Sequence, residues 1–321
     1  PCCQGKVIRF GRRRRQCSVC QSTYRIRKKT RGRKRLRLNF SLLERLFLKG
    51  EDLCQQKRGA RPLSQPALSY RLHRYFSLLL KKEVHGRFSG GLILILDGVH
   101  FKFRGKDWVL YLRGLKPINQ DKVFFLDPIL MKGSEAYRRW KKVIRTLPRE
   151  FYPRIKALVS DGFPGSHRLA LENGWVYQRC QFHLLFELRR RCGWGRRYTP
   201  DKELREKLFE TIKEALSAKD RRRLEALKER IEEISLSLSS SWKLQYLSRS
   251  FIREIDSFRA YLLYPELNLP RTTSALESMS KIIRKRMGCL STPSSLKIWA
   301  KILVRMRPFI NCHGYITNQI N

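Results

Sequence analysis

Acidic residues are scarce in this chain. Only 27 Asp and Glu stand against 70 Lys and Arg in 321 residues, a formal net charge of +43. That imbalance exceeds what solubility requires and calls for an acidic partner, with nucleic acid the first polyanion to consider. Runs of about 18 apolar residues are missing too, which argues against a helical membrane span and a membrane partner. No signal peptide is visible, so a cytoplasmic, nucleoid-associated protein is expected. Nine cysteines without a secretory context do not read as a disulfide framework. The charge is not that of a disordered tail, because 42% of residues are hydrophobic and 11% aromatic, enough to fold.

With acids so few, each acid in an apolar setting is informative. The stretch GGLILILDGVHFKF, residues 90–103, carries an apolar run from Leu92 to Leu96 that ends in Asp97. It reads as a strand buried on both faces, flanked by Gly90, Gly91 and Gly98. Desolvation there favours a neutral carboxyl unless cations or hydrogen bonds hold the charge, so Asp97 is a candidate metal ligand; the alternative is that it opens a turn before Gly98. Two further strands, 107–115 and 122–130, are expected in hairpin order, then a helix with Ala136, Tyr137, Trp140, Val143, Ile144 and Leu147 on one side. PRIKALVSDGFPGSH follows, where Ile155, Ala157, Leu158 and Val159 form a short strand ending in Asp161 and Gly162. If this strand neighbours the Asp97 strand, both carboxylates fall on one sheet edge, where open α/β sheets place their sites. Close carboxylates either share a proton or recruit divalent metal, and a metal pair serves phosphodiester chemistry. Asp127 is a weaker rival ligand, because Pro128 keeps it extended. In WVYQRCQFHLLFEL a strand from Trp175 to Arg179 precedes Cys180 and His183, a pair better suited to supporting a site than to holding zinc alone.

Residues 1–38 read as a basic, zinc-ribbon-like segment. Cys17 and Cys20 have knuckle spacing, and Cys2 or Cys3 before Gly5 resembles the second half of a partner knuckle. Adjacent Cys2 and Cys3 do not easily bind one ion together, so a further cysteine ahead of Pro1 is expected to complete a Zn2+ site; reduced surface thiols are the alternative. Arg12, Arg13, Arg14, Arg33, Lys34 and Arg35 are candidate phosphate contacts. Residues 39–89 suggest two short amphipathic helices and a linker. The second helix, with Gln65, Arg71 and Arg74, would read DNA if the pair is a helix-turn-helix rather than a plain helical pair.

From 199 to 265 the pattern is helical. Thr199 and Pro200 suit an N-terminus, Leu204, Leu208, Ile212 and Leu216 form one face, and Asp220 is expected to cap a return helix with Leu224, Leu227, Ile231 and Ile234. SLSLSSSW then breaks the pattern before Leu244, Leu247, Phe251, Ile255 and Phe258. This block reads as an insertion, after which LPRTTSALESMSKIIRKRMG brings Glu277, the last acid in the sequence. Glu277 is either a third metal ligand or the partner of Ser274 in a capping box.

Asp97 in LDG, Asp161 in SDG, Cys180 and His183 in QRCQFH, and Glu277 in TTSALES together resemble the motif set of the Mutator-like DDE transposases, including prokaryotic insertion-sequence relatives. The match covers about residues 92–290 and rests on order and spacing of several motifs. The resemblance implies a ribonuclease H-like α/β catalytic fold with an all-α insertion, divided as 90–183, 184–268 and 269–321. It implies that Asp97, Asp161 and Glu277 bind Mg2+ or Mn2+, that Cys180 and His183 support the site, and that the protein acts as a homo-oligomer on double-stranded DNA of transposon ends and target. Leu184 stands where family members often carry a basic residue. The expected activity is hydrolysis at element ends followed by strand transfer. The other readings are a DNA-binding regulator on a catalytically silent fold, or a nuclease without strand transfer.

Overall fold

The structure, a computed structural model, describes residues 3–12, 14–25, 70, 72–74, 76, 77, 80, 81, 88–193, 199–238, 241–287, 292–307 and 309–311. The chain forms two compact units, residues 1–48 and 49–321. In the first, β1 (Val7–Arg9), β2 (Arg14–Cys17) and β3 (Thr23–Arg25) make an antiparallel sheet in that order. Arg12 and Arg14 are exposed on it. Cys2, Arg13, Arg33, Lys34, Arg35, Gln65 and Arg71 lie outside the described residues, and so does most of the expected helix-turn-helix; Arg74 is exposed.

The second unit is mixed α/β. β4 (Leu92–Phe103), β5 (Lys106–Pro117) and β6 (Lys122–Lys132) form an antiparallel meander, as their alternating and continuous apolar runs predict. Arg104 and Gly105, with φ of 48° and 75°, make the two-residue turn between β4 and β5, matching a type I′ hairpin. Helix α1 (Tyr137–Arg145) leads to β7 (Ile155–Ser160), then α2 (Ser166–Glu172) to β8 (Val176–Arg179). β7 lies parallel to β4 and β8 parallel to β7. With the short β9 (Phe309–Asn311) on the far edge, the sheet order is β8-β7-β4-β5-β6-β9.

β4 is thus central and buried on both faces. Leu92, Leu94 and Leu96 join Tyr111, Trp140, Val143, Ile144 and Leu147 in one core under α1. Side chains alternate along a strand, so Ile93, Ile95 and Asp97 face the other side, where Leu276 approaches Gly114, the partner of Ile95.

Helices α3 (Gln181–Arg191), α4 (Lys202–Ser217), α5 (Arg221–Ser237), α6 (Trp242–Arg253), α7 (Ile255–Phe258) and α8 (Ala260–Leu263) form the helical block. Its own core holds Leu188, Leu208, Ile212, Leu224, Leu227, Ile231, Phe251 and Phe258. Asp220 caps α5 as expected, accepting from the Arg223 amide at 2.8 Å. The start of α4 differs. Asp201, not Thr199, occupies the N-cap, in a left-handed conformation with no side-chain cap bond. The Arg205 guanidinium instead takes the Pro200 carbonyl at 2.7 Å and the Arg191 carbonyl, at the end of α3, at 3.0 Å.

Finally α9 (Ser274–Met287) and α10 (Pro293–Met306) return to the sheet, α9 against β4 and β5 and α10 against β6. Among the described residues no helix is long and apolar enough to cross a membrane.

Candidate functional site

Asp97 does not end its strand. β4 continues to Phe103, paired with β5 over its whole length, and Asp97 stands opposite Leu112. What ends near it is the parallel ladder: Leu96 pairs with Ser160, the last residue of β7, so Asp97 and Asp161 follow side by side where the two strands part. The expectation that both acids share one edge therefore holds, through a different local structure. Gly98 is no turn residue either. A Cβ there would meet Glu135 Oε1 at 2.6 Å, so the missing side chain admits a carboxylate from the connection before α1.

Glu135 is the residue that sequence reasoning missed. Its carboxylate accepts from Trp140 Nε1 at 2.7 Å and lies 3.3 Å from His100 Nε2. Its pKa is raised, by burial first and then by the charge of Asp161, against the pull of Trp140 and His100. Arg139 follows four residues later, so in sequence Glu135 looks like half of an ordinary helical ion pair. The Arg139 guanidinium instead donates to the Ser134 carbonyl.

Glu277 sits in the first turn of α9 and is largely buried. Ser274 is the first helical residue and not its cap; Thr273 precedes the helix and its hydroxyl lies 3.0 Å from Glu277 Oε1. The alternative of a Ser274–Glu277 capping box gives way to this contact. His183 Nδ1 lies 3.7 Å from Glu277 Oε1. Cys180 is fully buried, and its sulfur meets both the amide and the hydroxyl of Thr273, at 3.3 and 3.4 Å. The C-x-x-H pair thus stands beside Glu277.

The electrostatics join these residues into one centre. Asp97 is pushed up to about 8 by burial, then by the charges of Asp161, Glu277 and Glu135, with His183 opposing. Glu277 is also raised, by burial first, while His183 and Thr273 act against it. Burial lowers His183, but Cys180, Glu277 and Asp161 outweigh it and lift it to about 10. Four carboxylates face two imidazoles, His183 and His100, in a partly buried place, and relieving the excess of negative charge there needs a proton or a cation. The Asp161 carboxylate closes a turn by accepting the Phe163 amide at 3.2 Å. Gly162, at a φ of 95°, has no room for a Cβ because Arg179 lies against it.

Asp127, the rival ligand, is elsewhere in its contacts. Burial alone would raise it, but Arg305, at 2.8 and 2.9 Å, and Lys301, at 3.4 Å, hold it ionised. It is a paired structural acid.

Two groups of possible metal ligands have donor atoms all within 4.8 Å of one another among the described residues. One is Cys180, His183 and Glu277; the other is Cys3, Cys17 and Cys20 in the first unit. In that second group the amides of Cys20 and Val19 and the thiol of Cys3 lower the Cys17 pKa, while Cys3 itself is lifted to about 11, by its bond with Cys17 first. A Cβ on Gly5 would meet the Cys17 sulfur at 2.8 Å. The three thiols could hold a metal ion.

Beside Asp161 opens a cavity of about 270 Å³, lined by Arg179, His183, Phe186, Ser250 and Phe258 among others. No family model matches the chain, and no curated protein matches it.

Proposed function

We propose that this protein is the DNA transposase of an insertion sequence, with a ribonuclease H-like catalytic domain of the Mutator-like DDE type. The observation that supports the reading is that Asp97, Asp161 and Glu277, from β4, the end of β7 and the first turn of α9, lie near enough for the charges of Asp161 and Glu277 to raise the Asp97 pKa. A sheet with a three-strand meander followed by two parallel crossover strands is compatible with that fold.

Carboxylate oxygens are the ligands Mg2+ and Mn2+ take, although among the described residues it is Cys180 and His183, not Asp97 and Asp161, whose donor atoms lie within 4.8 Å of Glu277 as a group. Asp97, Asp161 and Glu277 would hold the ion, and when bound it supplies activation of water and stabilisation of charge at the cleaved phosphodiester. The chain's own residues do the rest. Asp97 and Asp161 fix the sheet side of the centre, Glu277 closes it from α9, and His183 holds positive charge beside Glu277. Glu135 and His100 meet at 3.3 Å at its other side. Cys3, Cys17 and Cys20 would bind Zn2+ in the N-terminal ribbon, and the basic first unit would hold double-stranded DNA of element ends and target, with a homo-oligomer pairing two ends.

The test is strand cleavage and joining on the native element ends with Mg2+. Cleavage and joining lost in Asp97→Asn and Asp161→Asn, with DNA affinity kept or raised, supports the reading. Cleavage without joining would make the protein a nuclease, and end binding without cleavage a regulator.

A further inference from the structure

Outside the carboxylate centre the most unusual surface is the outer side of α6. Trp242 and Tyr246 are 68% and 65% exposed. Arg249 and Arg253 are exposed too. These residues recur at spacings of four, three and four, which places them on one stripe of a helix. The inward positions Leu244, Ser248 and Phe251 are the buried ones, so among the described residues the packing of the block does not require two large rings outside. The stripe holds no aliphatic side chain, unlike the face of a helix that seats on another helix. Rings followed by guanidinium groups instead match a nucleic acid strand, whose bases stack and whose phosphates are negative.

The stripe also leads somewhere. Leu247, Ser250 and Phe251, on the adjoining side of α6, line the cavity beside Asp161. Phe186 of α3 lines the same cavity while 58% exposed, and Phe182 stacks against it with centroids 6.0 Å apart. Arg179 forms another part of the wall, held 2.6 Å from Glu254 and over the Phe258 ring. An aromatic wall, a guanidinium and a catalytic-centre carboxylate therefore border one hollow large enough for a base.

We propose that the α6 stripe and this cavity form one track for an unpaired DNA strand leaving the carboxylate centre. Phe186, Tyr246 and Trp242 offer stacking faces in turn, and Arg249 and Arg253 meet phosphates. Stacking accepts every base, so the track is indifferent to sequence and serves strand separation next to the cleaved bond. The proposal rests on the reading of the centre as a phosphodiester-cleaving site, but its test does not require cleavage.

The experiment uses the full chain in chelator, with a blunt duplex and the same duplex carrying an oligothymidylate tail, read by fluorescence anisotropy. The tail is expected to tighten binding. The Trp242→Ala/Tyr246→Ala double variant should lose that advantage by roughly fivefold or more per ring, with blunt-duplex affinity unchanged within about twofold. An unchanged advantage, or equal weakening on both substrates, overturns the proposal and leaves the stripe to a protein partner or a second copy. Photo-crosslinking from 4-thiothymidine in the tail gives an independent readout: adducts on Trp242, Tyr246 or Phe186 are expected, and adducts confined to the basic N-terminal unit overturn it. Tail binding retained in a chain that never cleaves would refute the transposase reading alone.

Discussion

Replacing Asp97 by Asn should make the metal-free protein more stable at neutral pH while destroying the proposed cleavage activity. Asp97 is 6% exposed, and its pKa rises from 3.8 to about 8 through burial and the charges of Asp161, Glu277 and Glu135. Between those values the unfolded chain has released the proton and the folded chain keeps it, so stability falls as pH rises. At 1.36 kcal/mol per pH unit the penalty at pH 7 is at most about 4 kcal/mol. Shared protons and local relaxation reduce it, so a difference of roughly 1–4 kcal/mol is expected. Asn has the shape of the neutral acid and nothing to lose, so its stability should lack this slope. Denaturant titrations in chelator between about pH 4 and 8 measure both curves. Mg2+ should then stabilise the wild type, more at pH 8 than at pH 6, and the variant far less. Parallel pH curves, or a variant less stable than the wild type at pH 8, would refute the claim that burial and neighbouring acids raise the Asp97 pKa.

Glu277→Gln keeps an acceptor for the Thr273 hydroxyl, so its unfolding free energy should stay within about 0.5 kcal/mol of wild type or rise, while Mg2+-dependent cleavage is lost; normal cleavage would reduce Glu277 to a helix-end contact. Gly98→Ala drives a methyl into Glu135 Oε1 and should cost roughly 1–3 kcal/mol, most of it recovered by adding Glu135→Ala; full additivity of the two changes would show that they do not meet. Cys17→Ser should abolish thiolate-to-cobalt absorption attributable to the first unit in a Co2+ titration, with Cys180→Ser as the control for the other candidate ligand group; retained absorption in Cys17→Ser with loss in Cys180→Ser would reassign the metal. Arg12→Ala and Arg14→Ala should each flatten the salt dependence of DNA binding by about 0.9 in the log-log slope if each neutralises a phosphate; an unchanged slope moves the contact elsewhere.

Asp97 and Asp161 were legible because an acid closing an apolar run is expensive and therefore conspicuous. The meander, the crossover and the two packed faces of the helical hairpin followed from hydrophobic period alone. Gly98 misled for a physical reason. Glycine commonly marks a turn, yet here it continues a strand and makes room for Glu135, and the alternation of Val99, Phe101 and Phe103 beyond it was the signal of that continuation. Glu135 itself was hidden, since its role comes from proximity to Asp161 and Asp97 across the sheet and its local sequence offers an ordinary helical partner. Thr199 and Pro200 failed as a helix start because Arg205 turns back to the Pro200 carbonyl and also reaches the Arg191 carbonyl, 14 residues away, a contact that no window of neighbouring residues reveals.

The position of Glu277 raises a separate question, because the helical block lies between it and the strands that carry the other acids. Local helix geometry cannot set its place relative to β7; a contact across the block has to. That contact is the end of β8. The Cys180 amide donates to the Ser160 carbonyl at 2.8 Å, and the Gln181 amide to the Arg271 carbonyl at 2.9 Å. The Cys180 sulfur then meets Thr273, whose hydroxyl also reaches Glu277. One hydroxyl proton serves one acceptor. The Thr273 hydroxyl therefore donates to the Cys180 sulfur or to the Glu277 carboxylate, one at a time, and ties the end of β8 to Glu277 through a single side chain. The exit of the block is fastened to the same strand: Gln178 donates to the Phe258 carbonyl at 2.9 Å and accepts the Tyr261 amide at 2.9 Å, and Gln181 donates to Phe258 at 2.8 Å. Both ends of the helical block therefore close on β8, and the length of chain between them is free to vary without moving Glu277. Seen this way, Cys180 need not touch metal or substrate to matter, since it sets the register in which α9 meets the sheet.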